Sequence, residues 1–223
     1  MHQQKGKIIL IYFFLFLVVG SINNNSLNRI QLEKIKNIKI SGLDENQKIN
    51  LLENIKKQDL KNIYFLNGNK ISKIISSNTL VENYEVIKKY PYSLDIKIKK
   101  TNFLAKISKN GKIFLIGSNG KLSDIKFSDK DLPFIFGKPE IDEFIKFKNI
   151  IEKSKFSLNE IKNLYFFPSK RWDLELKSNV ILKLSKDYTR LSLDQAFEML
   201  NDKNFDEIKV IDARVKNQII LND

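Results

Sequence analysis

An apolar stretch near the start, Ile8 to Val19, constrains this chain most, because its only polar side-chain group is the Tyr12 hydroxyl and such a segment must leave water. Lys5 and Lys7 precede it, and no formal charge follows until Arg29. From Ile8 to Ile22 there are fifteen residues, about 23 Å of helix. A bilayer core is roughly 30 Å thick and a spanning helix takes about 17–25 residues, so the run is short for an anchor. Its length suits a cleaved signal peptide, whose apolar part is about 7–15 residues after a basic start. Against cleavage, Val18 and Gly20 are the best small pair, and nothing resembles Ala-x-Ala. Anchor, cleaved leader and buried core helix all remain open on this segment alone. Orientation does not: the basic flank comes first, which predicts a cytoplasmic start and export of everything after about residue 24.

The 223 residues allow one large or two small domains after this leader. With 42% hydrophobic residues and 16 Phe, the chain can bury real cores. It has no cysteine, so stability must come from packing, and thiol catalysis is excluded. Lys and Arg outnumber Asp and Glu by 39 to 26, a balance that suits an anionic lipid surface or nucleic acid. Only Arg29, Arg171, Arg190 and Arg214 are arginines, and the lysines are scattered. Nucleic-acid readers cluster Arg with exposed aromatics, so no nucleic-acid partner is expected.

Residues 23–33 are polar and read as a linker. KIKNIKISG (34–42) alternates Ile35, Ile38 and Ile40 with lysines and predicts a strand ending at Gly42. Asp44 then caps a helix with Ile49, Leu52 and Ile55 on one face. After a turn at Asn67-Gly68-Asn69, a second helix turns Ile71, Ile74 and Ile75 inward. VENYEVIKKYP and SLDIKIKK alternate on either side of Pro91-Tyr92. The order strand, helix, helix, strand, strand predicts a small α+β unit with both helices on one face of a three-stranded sheet.

FLAKIS and KIFLIGS flank Asn110-Gly111, a strong hairpin signal, and Asn119-Gly120 follows. DLPFIFGKPE (131–140) is a turn-rich crossing, and residues 141–154 have helical spacing. RWDLEL and VILKL alternate around Lys177-Ser178-Asn179, Ser192 is placed as the cap of a helix running to about Asn201, and 207–221 is β-rich. The second part therefore reads as a mostly antiparallel sheet with helical insertions.

His2 is the only histidine, which excludes Ser-His-Asp and Cys-His catalysis and histidine metal sites in the rest of the chain. Asp124 with Asp129 or Asp131, and Asp173 with Glu175, are candidate carboxylate pairs, each better explained as a solvated loop or a polar strand face. Gly117 and Gly120 lack the spacing of a phosphate loop. The residues thus point to an exported binding or scaffolding protein, not an enzyme, with no catalytic residue, cofactor or metal assigned.

The order of segments resembles the FtsQ/DivIB bacterial cell-division family. IKNIKISG resembles that family's opening POTRA strand, and YPYSLDIKIKKTNFLA its closing hairpin and junction. GKIFLIGSNGKL, LPFIFGK, KRWDLELKSNVILKL and IKVIDARVKNQIIL resemble its later elements, in the same order. Lys99-Lys100 stands for the family's Glu-Arg, Phe103 for its Pro, and Asn78-Thr79-Leu80 for its Pro-Trp.

The resemblance implies an α+β chain: a cytoplasmic tail at 1–7, a transmembrane anchor at 8–22, a linker at 23–33, a β-α-α-β-β POTRA domain at 34–101 and a β domain at 102–223. It implies residence in the inner membrane at the division septum, and partners of the FtsB/FtsL type beside the septal peptidoglycan synthase. It also places partner-binding residues at Arg171 and Trp172 of the R-W element, and at Arg214, Val215, Asn217 and Ile219. There, 214–221 is expected to be a final strand that offers one edge to a partner strand, with Arg214 contacting an acidic group. Two rivals are a POTRA-bearing secretion or assembly component, which normally repeats the unit or adds a barrel, and a cleaved, soluble periplasmic binding protein.

Overall fold

The structure is a computed structural model describing residues 2–22, 34–58, 60, 62–124, 131–202 and 208–222. The apolar stretch is helical, within α1 (His2–Ile22), and its side chains from Ile8 to Val19 are exposed. Among the described residues, however, no helix is long and apolar enough to cross a membrane. The transmembrane helix expected at 8–22 is therefore withdrawn. Residues His2 to Lys7 are polar or glycine, so lengthening the helix to 21 residues adds no apolar length.

The first sheet follows from alternation. β1 (Asn37–Ser41), β2 (Val81–Lys89) and β3 (Ser93–Lys100) lie in the order β1-β3-β2, with β1 parallel and β2 antiparallel to β3. Leu94, Ile96 and Ile98 of β3 are buried, and Asp95, Lys97 and Lys99 point the other way. α2 (Glu45–Lys56) and α3 (Gly68–Ser77) pack on the apolar face through Leu51, Ile55, Ile71 and Ile75. Asp44 and Gln47 form a capping box at the start of α2. The face differs from the expected one: Leu51 and Ile55 are buried at i, i+4 spacing, whereas Ile49 is exposed. Asn67 caps α3 by accepting from the Asn69 N–H, so the expected turn is the start of a helix.

The second sheet has nine strands among the described residues. In chain order they are β4 (Phe103–Lys109), β5 (Lys112–Gly117), β6 (Leu122–Ser123), β7 (Phe134–Phe136), β8 (Ile161–Phe166), β9 (Trp172–Leu176), β10 (Ile181–Leu184), β11 (Val210–Ala213) and β12 (Ile220–Asn222). Their order in the sheet is β12-β11-β10-β9-β8-β7-β4-β5-β6. β4 and β5 are joined by Asn110-Gly111, both at positive φ (53° and 74°), as a two-residue hairpin requires.

Five of the eight pairings are antiparallel (β4–β5, β5–β6, β8–β9, β9–β10, β11–β12) and three are parallel (β4–β7, β7–β8, β10–β11). Two of the parallel pairs arise because α4 (Ile141–Glu152) carries the chain from β7 to β8 and α5 (Thr189–Leu200) from β10 to β11. Parallel neighbours need such crossovers. Ser192 is not the cap of α5. It lies within the helix, 3% exposed, where its hydroxyl donates to the Ala213 carbonyl at 2.7 Å and accepts from the Ser185 N–H at 3.3 Å.

Thr101 and Asn102 alone separate the two sheets along the chain, and a hydrogen-bond cluster fixes this junction. Glu82 accepts from the hydroxyls of Thr101 (2.9 Å) and Ser118 (2.7 Å). Asn119 Nδ2 donates to the carbonyls of Thr79 and Val81, each at 2.9 Å. A Cβ on Gly117 would lie 2.6 Å from Asn119 Oδ1 and 2.8 Å from Thr101 Oγ1, so this approach needs glycine. Replacing Asn119 by Ala leaves two carbonyls without their donor. Chemical denaturation should show a loss of about 1–3 kcal/mol; a change within error would mean the junction is not held this way.

Candidate partner-binding edge of the nine-stranded sheet

The register of β9 sorts its side chains. Trp172, Leu174 and Leu176 face α4 and α5 within the larger core, and Asp173 and Glu175 face the opposite side of the sheet. Trp172 is 7% exposed. Its ring stacks on Phe147 of α4 at 4.6 Å and 4°, with Phe166 at 4.8 Å and Phe144 at 6.4 Å. The expected contact residue is thus a core residue. Arg171, just before β9, donates from Nε and Nη2 to Asp173 at 3.1 and 3.2 Å and lies 4.3 Å from the centre of the Phe167 ring.

The face away from the helices carries a polar network that crosses strands. Glu175 accepts from Asn163 Nδ2 (2.8 Å), the Tyr165 hydroxyl (2.7 Å) and Lys162 Nζ (2.8 Å). These donors, Asn163 first, hold its carboxyl down to about 2, while burial and the same carboxylate push the Tyr165 hydroxyl up. A carboxylate so occupied stays ionised at neutral pH and anchors β8 to β9. Asp173 is 4% exposed and also accepts from the Leu184 N–H of β10 at 3.3 Å. The same-face placement of Asp173 and Glu175 follows from strand alternation alone. Their partners do not, because Asn163, Tyr165 and Lys162 arrive from a strand whose register only the fold sets.

The expected strand at 214–221 is instead a turn followed by a short strand. β11 ends at Ala213, Asn217 sits at φ +59°, the Gln218 N–H donates to the Val215 carbonyl at 3.2 Å, and pairing resumes at Ile220. Val215, Asn217 and Ile219 therefore do not alternate along an edge. Val215 is 54% exposed on the turn, Asn217 supplies the left-handed residue that Asn tolerates well, and Ile219 packs against the core with Leu221. Arg214 is already engaged: Nε lies 2.8 and 3.0 Å from the Asp212 oxygens, and Nη2 2.5 Å. The guanidinium holds the Asp212 carboxyl below its ordinary value, and the carboxylate raises the Arg214 value. Lys216 Nζ lies 4.9 Å from the centre of the Tyr188 ring, a contact with no sequence signal.

One flank of β12 pairs with β11, antiparallel, at Val210–Asn222, Ile211–Leu221 and Asp212–Ile220. Among the described residues no strand covers the other flank, and β12 is the end of the sheet. The POTRA domain, FtsQ-type, matches residues 33–100, which contain the three-stranded unit. The chain therefore carries a POTRA domain of the FtsQ type at 33–100. It is 30% identical over 92 residues to the cell division protein DivIB of Clostridium acetobutylicum, a stretch covering 41% of this chain and 37% of that protein. The chain thus spans little more than a third of the curated relative it matches. The extracytoplasmic domain of DivIB from Geobacillus stearothermophilus aligns with a TM-score of 0.34 at 16% identity, over 47% of this chain and 96% of that one, too weak a likeness to bear on the fold. The FtsQ/DivIB match covers the POTRA unit, so the β12 edge rests on this chain's own geometry.

Glu175 gives a pH test of the network. Its folded value is depressed, so its contribution to stability is complete above the ordinary value of 4.5 and is lost as pH falls toward about 2. Glu175→Gln should cost about 1–2 kcal/mol at pH 7, and the gap between variant and parent should close across that window. Denaturant melts at several pH values check this; a gap independent of pH would remove the charge from the explanation.

Proposed function

We propose that this chain is a non-enzymatic scaffold of bacterial cell division. It works at the septum on the exported side of the inner membrane and links early division proteins to the FtsB/FtsL subunits of the septal peptidoglycan synthase. The FtsQ-type POTRA match supports the process, and the name of the Clostridium relative, a cell division protein, agrees with it. The observation that carries the mechanism is the outer flank of β12, which no strand covers among the described residues. An open strand edge presents N–H and C=O groups that a partner strand satisfies, with neighbouring side chains setting specificity.

The surroundings suit this use. Ile220 of β12 is 48% exposed and Val215 of the preceding turn 54%, so apolar contacts flank the backbone contacts. Ile219 and Leu221 hold the strand to the core. Arg214, fixed by Asp212 and 45% exposed along its side chain, keeps donors for an acidic group on the partner. Arg171 and Trp172 act from behind, by holding β9 and through it β10 and β11.

Successive amides of a strand point to opposite flanks, so proline at Ile220 and proline at Leu221 affect different edges. One removes an outward N–H and the other an N–H facing β11. Pull-down of an FtsB-like partner with the full chain should fall at least about tenfold in the outward variant while its thermal unfolding matches the parent. Undiminished capture by both variants would end the edge-pairing mechanism.

A further inference from the structure

A second surface lies at the other end of the molecule. β3 starts at Ser93 and runs to Lys100 at the junction, so the β2–β3 tip is the end of the three-stranded unit away from the large sheet. Three segments meet there. Lys34 forms a bridge with Asn62, the N–H groups of Lys36 and Asn37 approach the Tyr92 carbonyl at 3.0 and 3.4 Å, and Tyr64 lies 5.0 Å from Tyr90 between ring centres.

This end exposes aromatic rings where a free surface would normally be polar. Tyr64 is 52% exposed, Phe65 69% and Tyr90 59%. Phe65 and Lys70 line the same depression as Gln58, Leu60 and Leu66. Lys56, Lys57 and Lys70 are exposed. Over residues 56–70 and 88–93 the sequence carries six lysines, a single acidic residue (Asp59) and no arginine. One of the six, Lys89, is held by Asp95 at 2.5 Å.

We propose that this end docks on an anionic bilayer surface, with Tyr64, Phe65 and Tyr90 in the headgroup layer and Lys56, Lys57 and Lys70 over the phosphates. Tyr and Phe have apolar bodies that favour the boundary between headgroups and acyl chains, and Tyr adds a polar tip. Lys supplies point charges on long stems, which suit a mobile sheet of phosphates. A protein carboxylate read at a fixed position would instead call for the planar fork of Arg, which is absent here. A nucleic acid would satisfy the lysines alone and is the alternative the test separates. The proposal does not depend on the β12 edge.

The full chain is tested against phosphatidylcholine vesicles with and without phosphatidylglycerol. Apolar side chains of α1 add binding that is indifferent to lipid charge, so the gain from phosphatidylglycerol is the readout. That gain should fall about tenfold in Lys56→Glu/Lys57→Glu and fall again in Tyr64→Ser/Phe65→Ser. In a Phe65→Trp variant, the added fluorescence should be quenched by brominated acyl chains; the native Trp172 is buried and is subtracted with the parent. An unchanged gain in both double variants overturns the proposal, as does an unquenched Trp in vesicle-bound protein. Equally tight binding of double-stranded DNA, insensitive to Tyr64→Ser/Phe65→Ser, would also overturn it and identify a general polyanion surface.

Discussion

The larger sheet depends on the two faces of β9. On one face Trp172 stacks against Phe147 and so seats α4 on the sheet, with Leu174 and Leu176 continuing the buried row. On the other, Asp173 takes Arg171 and a β10 amide, and Glu175 takes three donors reaching across from β8. Apolar burial is non-directional and tolerates a shifted register, whereas charge-assisted hydrogen bonds do not. A one-residue slip would exchange the two faces. The strand order β8-β9-β10 is fixed by both together, and β11 and β12 inherit their places from it.

That inheritance explains why β11 and β12 lie at the far end of the sheet. α5 lands β11 parallel to β10, with Ser192 tying the helix to the Ala213 carbonyl. The turn at 214–219 then folds the chain back into β12. In the proposed edge pairing a partner adds side-chain contacts to the backbone ones, and Val215 and Ile220 are exposed beside that edge. At the opposite end of the large sheet, the junction around Thr101, Glu82 and Asn119 ties the three-stranded unit to the turn between β5 and β6.

Most elements were legible because their signals are local. Alternation in 93–100 and 172–176, Asn110-Gly111 with positive φ, and Asp44 with Gln47 each specify their structure within a few residues. The misreadings have physical causes. Ser192 looks like a cap by residue type, but the helix had already begun and its hydroxyl was taken by a distant carbonyl. A final strand is expected at 214–221, whereas a turn with Asn217 in the left-handed region delays the last strand to Ile220. The apolar run at 8–22 formed a helix, yet its flanking residues added polar rather than apolar length. Of the residues expected to meet a partner, Arg214, Val215, Asn217 and Ile219 lie next to β12, while Trp172 went to the core, the usual fate of an indole on the apolar face of a strand.

By itself the sequence determined the periodicities: which segments are strands or helices, which strand face is apolar, where tight hairpins fall, and that no histidine or cysteine chemistry is available beyond residue 2. Those properties depend on neighbours a few residues apart, and neighbours in sequence are always present. Tertiary structure decided which strand lies beside which, that Arg214 meets Asp212 and Glu175 meets Tyr165, and that β12 stands at one end of the large sheet among the described residues. Each of these outcomes follows from a pairing register set by competition among all the strands for the same backbone groups, and no local stretch contains that information.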